Sequence, residues 1–215
     1  MLKIYGSDLS GPANKVRFTA NALGLNYEYI RVNLREGEQR KPEFVKLNPV
    51  AKIPVLDDDG FVLFESGAII KYLTQKQKSE LYPGDIKKRA IVDQWIDFAV
   101  IHVGQALSRL LYNRVFAPMR KEEVDERSIK DGINFLSKFL PIVDERLGKS
   151  KYLASDQLTL ADITLLSVLD PAEISGVNLL PYKNIVAWRE AMKQKDFYTK
   201  CHKEYGEALR KPAAK

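Results

Sequence analysis

The chain has 215 residues, 45% of them hydrophobic, a net charge of +6 and a single cysteine. That length accommodates one large or two small domains with buried cores, and no window reaches the run of about 18 apolar residues that a membrane span needs. One cysteine, Cys201, excludes an intrachain disulfide and any Cys-x-x-Cys redox or zinc pair. The basic clusters Arg40-Lys41, Lys87-Lys88-Arg89, Lys149 with Lys151, and Arg210-Lys211 with Lys215 are short and scattered, so they read as solvated surface and not as a nucleic-acid face. Met1 to Tyr5 runs straight into a strand pattern without a leader, which points to a cytoplasmic protein.

Met1 to Tyr5 predicts a short strand, Gly6 to Pro12 a polar loop, and Val16, Phe18, Ala20, Ala22 and Leu23 a helix closing at Gly24. Tyr27 to Leu34 predicts a second strand, and Pro42 to Leu47 a short helix with proline in its first turn. The stretch from Asn48 to Leu73 is the most informative. Ile53-Pro54-Val55-Leu56 reads as a buried strand, Asp57 to Gly60 as a hairpin turn, Phe61 to Phe64 as the returning strand and Glu65-Ser66 as the start of a helix. Pro54 at the head of a strand cannot donate to a ladder, and Ser66 begins a helix whose first N–H groups favour an anion. Together they suggest a binding edge.

Composition turns polar between Thr74 and Asp85, which marks an interdomain connection. The predicted domains are 1–76, a linker at 77–86, and an all-helical domain at 87–215. Helical periodicity runs from an Asp85 cap to about Phe116, where Pro118 is expected to stop it, then from about Lys121 to Leu147 with Pro141 inside, and again over Leu160–Leu169, Ile185–Lys193 and Phe197–Leu209. Thr159-Leu160-Ala161-Asp162 has the spacing of a capping box, which accounts for Asp162 without a catalytic role. His102 and His202 have no partners at metal spacing, so no metal is expected.

The combination Asn48-Pro49, Ile53-Pro54-Val55-Leu56 and Glu65-Ser66-Gly67-Ala68-Ile69 resembles the glutathione-binding signature of the soluble glutathione transferases. Tyr5-Gly6 through Ser10, Lys15-Val16-Arg17, Leu158 to Asp162 and Val186-Ala187-Trp188 extend the likeness over nearly the whole chain. The segment Gly37 to Phe44 is most similar to the serine-type phi and theta classes and their bacterial relatives. The resemblance implies an α/β thioredoxin-like N-terminal domain (βαβαββα) followed by an all-α C-terminal helical domain, and a cis bond before Pro54. It also implies an enzyme that conjugates the glutathione thiol to a small hydrophobic electrophile, working as a homodimer with no membrane or nucleic-acid partner.

In such an enzyme the protein must supply thiolate near neutral pH, although a free cysteine thiol titrates at about 8.5. Ser10, between the first strand and the first helix, is the candidate donor to the sulfur anion, with Ser7 in the same loop as the alternative. Glutathione's γ-glutamyl carboxylate suits Ser66 at a helix N-terminus, and its ammonium suits Glu65. By resemblance Lys52 and Gln39 face the glycine carboxylate, with Gln39 replacing a common histidine, and the backbone of Ile53 beside Pro54 pairs with the cysteinyl peptide. Where phi members carry a phenylalanine as an interface key, this chain has Val50. Two other readings fit the same signature: another glutathione-dependent enzyme such as a peroxidase, isomerase or dehalogenase, and a non-catalytic binding protein on the same fold.

Overall fold

The computed structural model describes residues 1–210. Contacts divide them into two compact units, one of Met1–Tyr82 with the segment from Gln194 onward, the other Pro83–Lys193. The tail of the expected 87–215 domain, including Lys211 and Lys215, lies outside the described residues.

The first unit contains β1 (Leu2–Gly6), α1 (Gly11–Ala22), β2 (Glu28–Arg31), α2 (Pro42–Val45), β3 (Val55–Asp58), β4 (Phe61–Phe64) and α3 (Ser66–Lys76). The strands form one mixed sheet in the order β2-β1-β3-β4, with β1 parallel to β2 and antiparallel to β3. This is the expected βαβαββα thioredoxin-like arrangement. Ile4, Val55 and Leu56 from the sheet and Val16, Phe18, Ile69, Ile70 and Leu73 from the helices are fully or almost fully buried.

The hairpin differs from expectation in its turn. Asp57 and Asp58 belong to β3, and the chain reverses over Asp59 and Gly60 alone, at φ 51° and 91°. Two left-handed residues form the tight turn whose twist matches paired strands, so pairing continues as far as Asp58 opposite Phe61. Asp57 accepts the Gly60 N–H at 2.8 Å and secures the reversal.

After Lys193 the chain is still helical, in α10 (Asp196–Thr199) and α11 (Glu207–Arg210), yet it packs with the first unit. The cause is aromatic. Phe197, Tyr198 and His202 surround Phe18 of α1 with ring centroids 6.2, 5.3 and 5.7 Å away.

The second unit has no strand among its residues and begins with α4 (Ile86–Asp97), capped by Asp85 as expected through bonds to the Lys87 and Lys88 N–H groups. Helix continues through a π-helical stretch at Phe98–Gly104, α5 (Gln105–Leu111), a second π stretch at Tyr112–Phe116, and α6 (Ala117–Arg120). Pro118 does not end it. Ala117 donates to the Tyr112 carbonyl in a widened turn, so the proline enters where the regular ladder has already been relaxed, and Lys121 at φ 57° ends the helix.

α7 (Glu126–Lys149) starts later than the periodicity suggested, at an Asp125 cap that accepts the Ser128 N–H at 2.9 Å. It packs tightly on α5 because residue 132 is glycine: a Cβ there would lie 2.2 Å from Leu110 Cδ1 and 2.8 Å from the Ala106 oxygen. α8 (Leu160–Leu169) is the unit's central helix, almost wholly buried, followed by α9 (Lys183–Lys193). Among the described residues no helix is long and apolar enough to cross a membrane.

Asp162 in α8 has the structural role its spacing suggested. Its carboxylate accepts from the Leu153 N–H at 2.7 Å and from the Thr159 N–H and hydroxyl, both at 3.0 Å, which ties the preceding loop to the helix start. Burial nevertheless pushes its pKa up to about 6, with these donors working against the shift. A raised folded pKa means that ionisation opposes folding. The group's contribution is therefore complete below its unfolded value of about 4 and is lost as pH rises through about 6. In urea titrations Asp162→Asn is expected to remove this part of the fall in stability between pH 4 and pH 7; an unchanged slope in the variant would assign it to other groups.

Candidate glutathione site

The strand registers bring the sequence-predicted residues to one end of the sheet. β1 and β2 run in parallel and finish together, with Gly6 opposite Arg31. β3 begins at Val55 opposite Tyr5, and β4 finishes at Phe64 opposite Val55. The segments after β1, after β2, before β3 and after β4 all leave the sheet there, and they carry Ser10, Gln39, Lys52-Ile53-Pro54 and Glu65-Ser66.

Ser10 is the N-cap of α1, in an extended conformation, with its Oγ accepting the Ala13 N–H at 3.3 Å. A hydroxyl that accepts a backbone N–H keeps its own proton to donate, and its position adds the positive end of the helix. Capping the helix is thus compatible with a donor role. Ser7 lends its carbonyl to the Ser10 N–H at 2.9 Å, which shapes the turn.

Asp8 holds this loop in place. Its carboxylate pairs with Arg17 at 2.9 Å and Arg31 at 3.1 Å, and its carbonyl accepts from Asn14 Nδ2 at 2.9 Å. Arg17 has a side chain only 8% exposed, stacks 4.1 Å above the Tyr29 ring and bonds to Asn14 Oδ1 at 3.2 Å. Burial works against its charge, yet Cys201, Tyr29, Tyr27 and Asp8 around it raise its pKa, so the guanidinium stays ionised. From the far end of the chain the Tyr205 hydroxyl donates to the Leu9 carbonyl at 2.6 Å.

Asn48 is buried and organises the turn before β3. Its side chain donates to the Lys52 carbonyl at 2.6 Å and accepts from the Val50 N–H at 3.0 Å, while Ala51 adopts φ 55°. Lys52 keeps an exposed side chain. The Ile53–Pro54 bond is cis, as the resemblance implied. Ile53 lies outside both ladders, two residues before the register begins, so its peptide groups are not used by the sheet.

α3 begins at Ser66 after Glu65, which adopts φ 68° and ψ 106°. A non-glycine residue seldom occupies that region, and such strain collects at functional sites. No side chain caps this helix start, so its first N–H groups remain open, unlike those of α1. Gln39 sits in a short 3-10 turn, Glu38–Arg40, that Glu38 anchors by accepting the Asn33 N–H at 2.7 Å. The buried amide oxygen of Gln39 has no hydrogen-bond partner among the described residues, a polar group left unmet in this segment.

The family model described as "Glutathione S-transferase, N-terminal domain" matches residues 2–75, and the C-terminal domain model of the same family matches residues 110–196. Glutathione S-transferase 1 of Zea mays is 32% identical over 217 residues, covering 99% of each chain. The chain belongs to the glutathione S-transferase family. Glutathione transferase F7 from Populus trichocarpa superposes with a TM-score of 0.84 at 29% identity, covering 94% of this chain and 97% of the other. Glutathione S-transferase-I, solved with lactoylglutathione, gives 0.85 at 30% identity over 93% and 97%. These relatives tie the protein to the phi-class side of the family and make it an enzyme of the transferase class.

Residues that sequence reasoning missed lie behind the glutathione transferase signature and not in it. Asp8, Asn14 and Tyr205 build the Ser10 loop, but their partners are 6 to 196 positions away and no local pattern reports them. Arg17 was visible only as part of a resemblance. In the second unit Val103 and Leu107 are core, at 0% and 2% exposure, whereas Tyr112 is 42% exposed. Replacing Asp8 by alanine leaves the Arg17 guanidinium buried without its carboxylate, which is expected to cost about 2 kcal/mol in urea denaturation. Asp8→Asn, which keeps an acceptor, should lose about half as much. Equal stability of Asp8→Ala and wild type would show that the pair does not hold the loop.

Proposed function

We propose that the protein conjugates the glutathione thiol to small hydrophobic electrophiles by a serine-type mechanism, in which Ser10 donates its O–H to the sulfur and so favours the thiolate. The reading is carried by the N-cap geometry of Ser10: an Oγ already occupied as acceptor, a proton left to give, and an 11-to-22 helix start behind it. Thiolate then adds to the electrophile or displaces its leaving group, and the proton goes to solvent.

The rest of glutathione would be held by groups of matching charge. The α-carboxylate of its γ-glutamyl group takes the uncapped N–H groups and hydroxyl at Ser66, and its ammonium takes Glu65. The cysteinyl peptide pairs with the N–H and C=O of Ile53, in the manner of an added strand, with Pro54 fixing the backbone. Lys52 and Gln39 serve the glycine carboxylate. The electrophile is chosen by apolar residues of the helical domain, and no metal takes part.

The protein would act as a cytoplasmic homodimer. Exposed apolar residues on α7, Phe135 at 39% and Ile142 at 46%, two turns apart on one face, support a covered surface. Val50, at 48% exposure, is small for the aromatic key of the phi class, so the contact there would be weaker.

Ser10→Ala is expected to remain bound to immobilised glutathione, to raise the pKa of the bound thiol by about one unit or more, and to lower the conjugation rate about 100-fold. Thiolate absorbance against pH and steady-state kinetics read the two effects. A variant with both unchanged would remove Ser10 from the chemistry, and Ser7→Ala would then be the variant to assay. Wild-type protein that binds glutathione but turns over neither electrophiles nor peroxides would overturn the enzymatic reading.

A further inference from the structure

The peptide between Leu9 and Ser10 is held from both sides, and one of its holders lies 196 positions away in sequence. In the loop from Ser7 to Ser10 every backbone carbonyl has a donor. Ser7 accepts from the Ser10 N–H at 2.9 Å, Asp8 from Asn14 Nδ2 at 2.9 Å, and Ser10 from the Asn14 N–H at 2.9 Å. These donors belong to the loop itself and to the first turns of α1. The Leu9 carbonyl is met instead by the Tyr205 hydroxyl at 2.6 Å, at the short end of the range for O–H···O bonds.

A peptide unit is planar, so the Leu9 C=O and the Ser10 N–H point in opposite directions from one rigid plate. Tyr205 grips one edge of it and Ser7 the other. Turning that plate alters φ of Ser10, which is −103° with ψ 107°, and with it the direction in which Oγ leaves the chain. The side chain does not fix this direction alone, because its bond to the Ala13 N–H is 3.3 Å, long for an N–H···O bond. The aim of a hydroxyl that must donate to sulfur therefore depends on the plate behind it.

Tyr205 is seated to hold that plate still. It is 4% exposed, and its ring meets His202 edge-on at 6.1 Å, while His202 meets Tyr198 at 4.7 Å and Phe18 of α1 at 5.7 Å. The hydroxyl is delivered from a platform resting on the same helix that Ser10 caps, so donor and helix start keep their mutual geometry. Packing accounts for the ring. A phenylalanine would fill the same space, and what the hydroxyl adds is the bond to Leu9.

We propose that Tyr205 is a positioning residue for conjugation: by fixing the Leu9–Ser10 peptide it sets the direction in which Ser10 gives its proton to the glutathione sulfur. It touches no substrate atom. The proposal rests on the reading of Ser10 as donor above, and makes the segment after α9 part of the chemistry performed in the loop after β1.

Tyr205→Phe removes the hydroxyl alone and tests this directly. The variant is expected to keep KM for glutathione within about twofold and to raise the midpoint of the bound thiol by about half a unit. Below that midpoint its conjugation rate should fall about threefold, which is the same change in thiolate fraction read as a rate. With p-aminophenylalanine at position 205, which returns an N–H donor to the same place, most of both losses should be recovered. In the Ser10→Ala background Tyr205→Phe is expected to change neither reading, because the group it orients is gone. A Tyr205→Phe enzyme with a lower urea midpoint but a wild-type thiol midpoint and rate overturns the proposal and leaves Tyr205 a packing residue. An equal effect of Tyr205→Phe with and without the Ser10 hydroxyl overturns it as well, since the action then bypasses that group. If Tyr205→Phe does not fold, the aminophenylalanine variant, a weaker donor than a phenol, is compared with wild type in the same cycle and by the same readings. Ser10→Ala with an unaltered thiol midpoint and rate overturns the Ser10 reading together with this one, which keeps the two failures distinct.

Discussion

Everything the candidate site offers chemically depends on a buried ion pair that touches no substrate group in the proposal. Asp8 and Arg17 join the loop after β1 to the body of α1. With the Arg17 side chain 8% exposed, removal of Asp8 would leave its guanidinium with little water and no carboxylate, so the pair resists opening. The stacking of Arg17 on Tyr29 and the Asn14 bonds to both Arg17 and the Asp8 carbonyl brace the same corner. Between the two ends of this brace sits Ser10, whose hydroxyl is useful only if its direction is set. The Tyr205 bond to the Leu9 carbonyl adds a polar tie between this loop and the segment that aromatic packing brings back to the first unit.

Two helix starts meet the same end of the sheet and are finished in opposite ways. α1 is capped by Ser10, which satisfies one backbone donor and presents a hydroxyl. α3 is left uncapped after a strained Glu65. Helix N-termini favour anions, and the proposed mode of binding brings an anion of glutathione to each of them: sulfur to α1 and the γ-glutamyl carboxylate to α3. The difference in capping fits the difference in task, since a thiolate needs a single directed donor and a carboxylate accepts several N–H groups. In the second unit, polar groups have a structural task. Asp162 closes a loop onto α8, and Gly132 lets α7 approach α5 at a distance no side chain would allow.

Much of this was legible in the sequence because it is local. Element type follows from hydrophobic period, and the hairpin, the Asp85 cap and the α8 capping box each need only residues a few positions apart. Family resemblance supplied the cis bond before Pro54 and the choice of candidate site segments. Expectation failed where local signals compete. Pro118 reads as a stop, yet a π-type turn ahead of it lets the helix run on to Arg120. Asp57 and Asp58 read as turn residues, yet two left-handed residues suffice to reverse the chain.

The amino-acid sequence by itself determined a thioredoxin-like unit followed by helices, the membership of the chain in its family, and the four segments that carry the candidate site, because period, caps and motif spacing act over short stretches of chain. Only the tertiary structure decided how that site is held: the Asp8 brace on Ser10, the Tyr205 anchor and the open start of α3. These depend on burial and on contacts between residues far apart in sequence. Whether a charge is paired, capped or left waiting for a ligand is a property of the folded neighbourhood, and no local pattern records it.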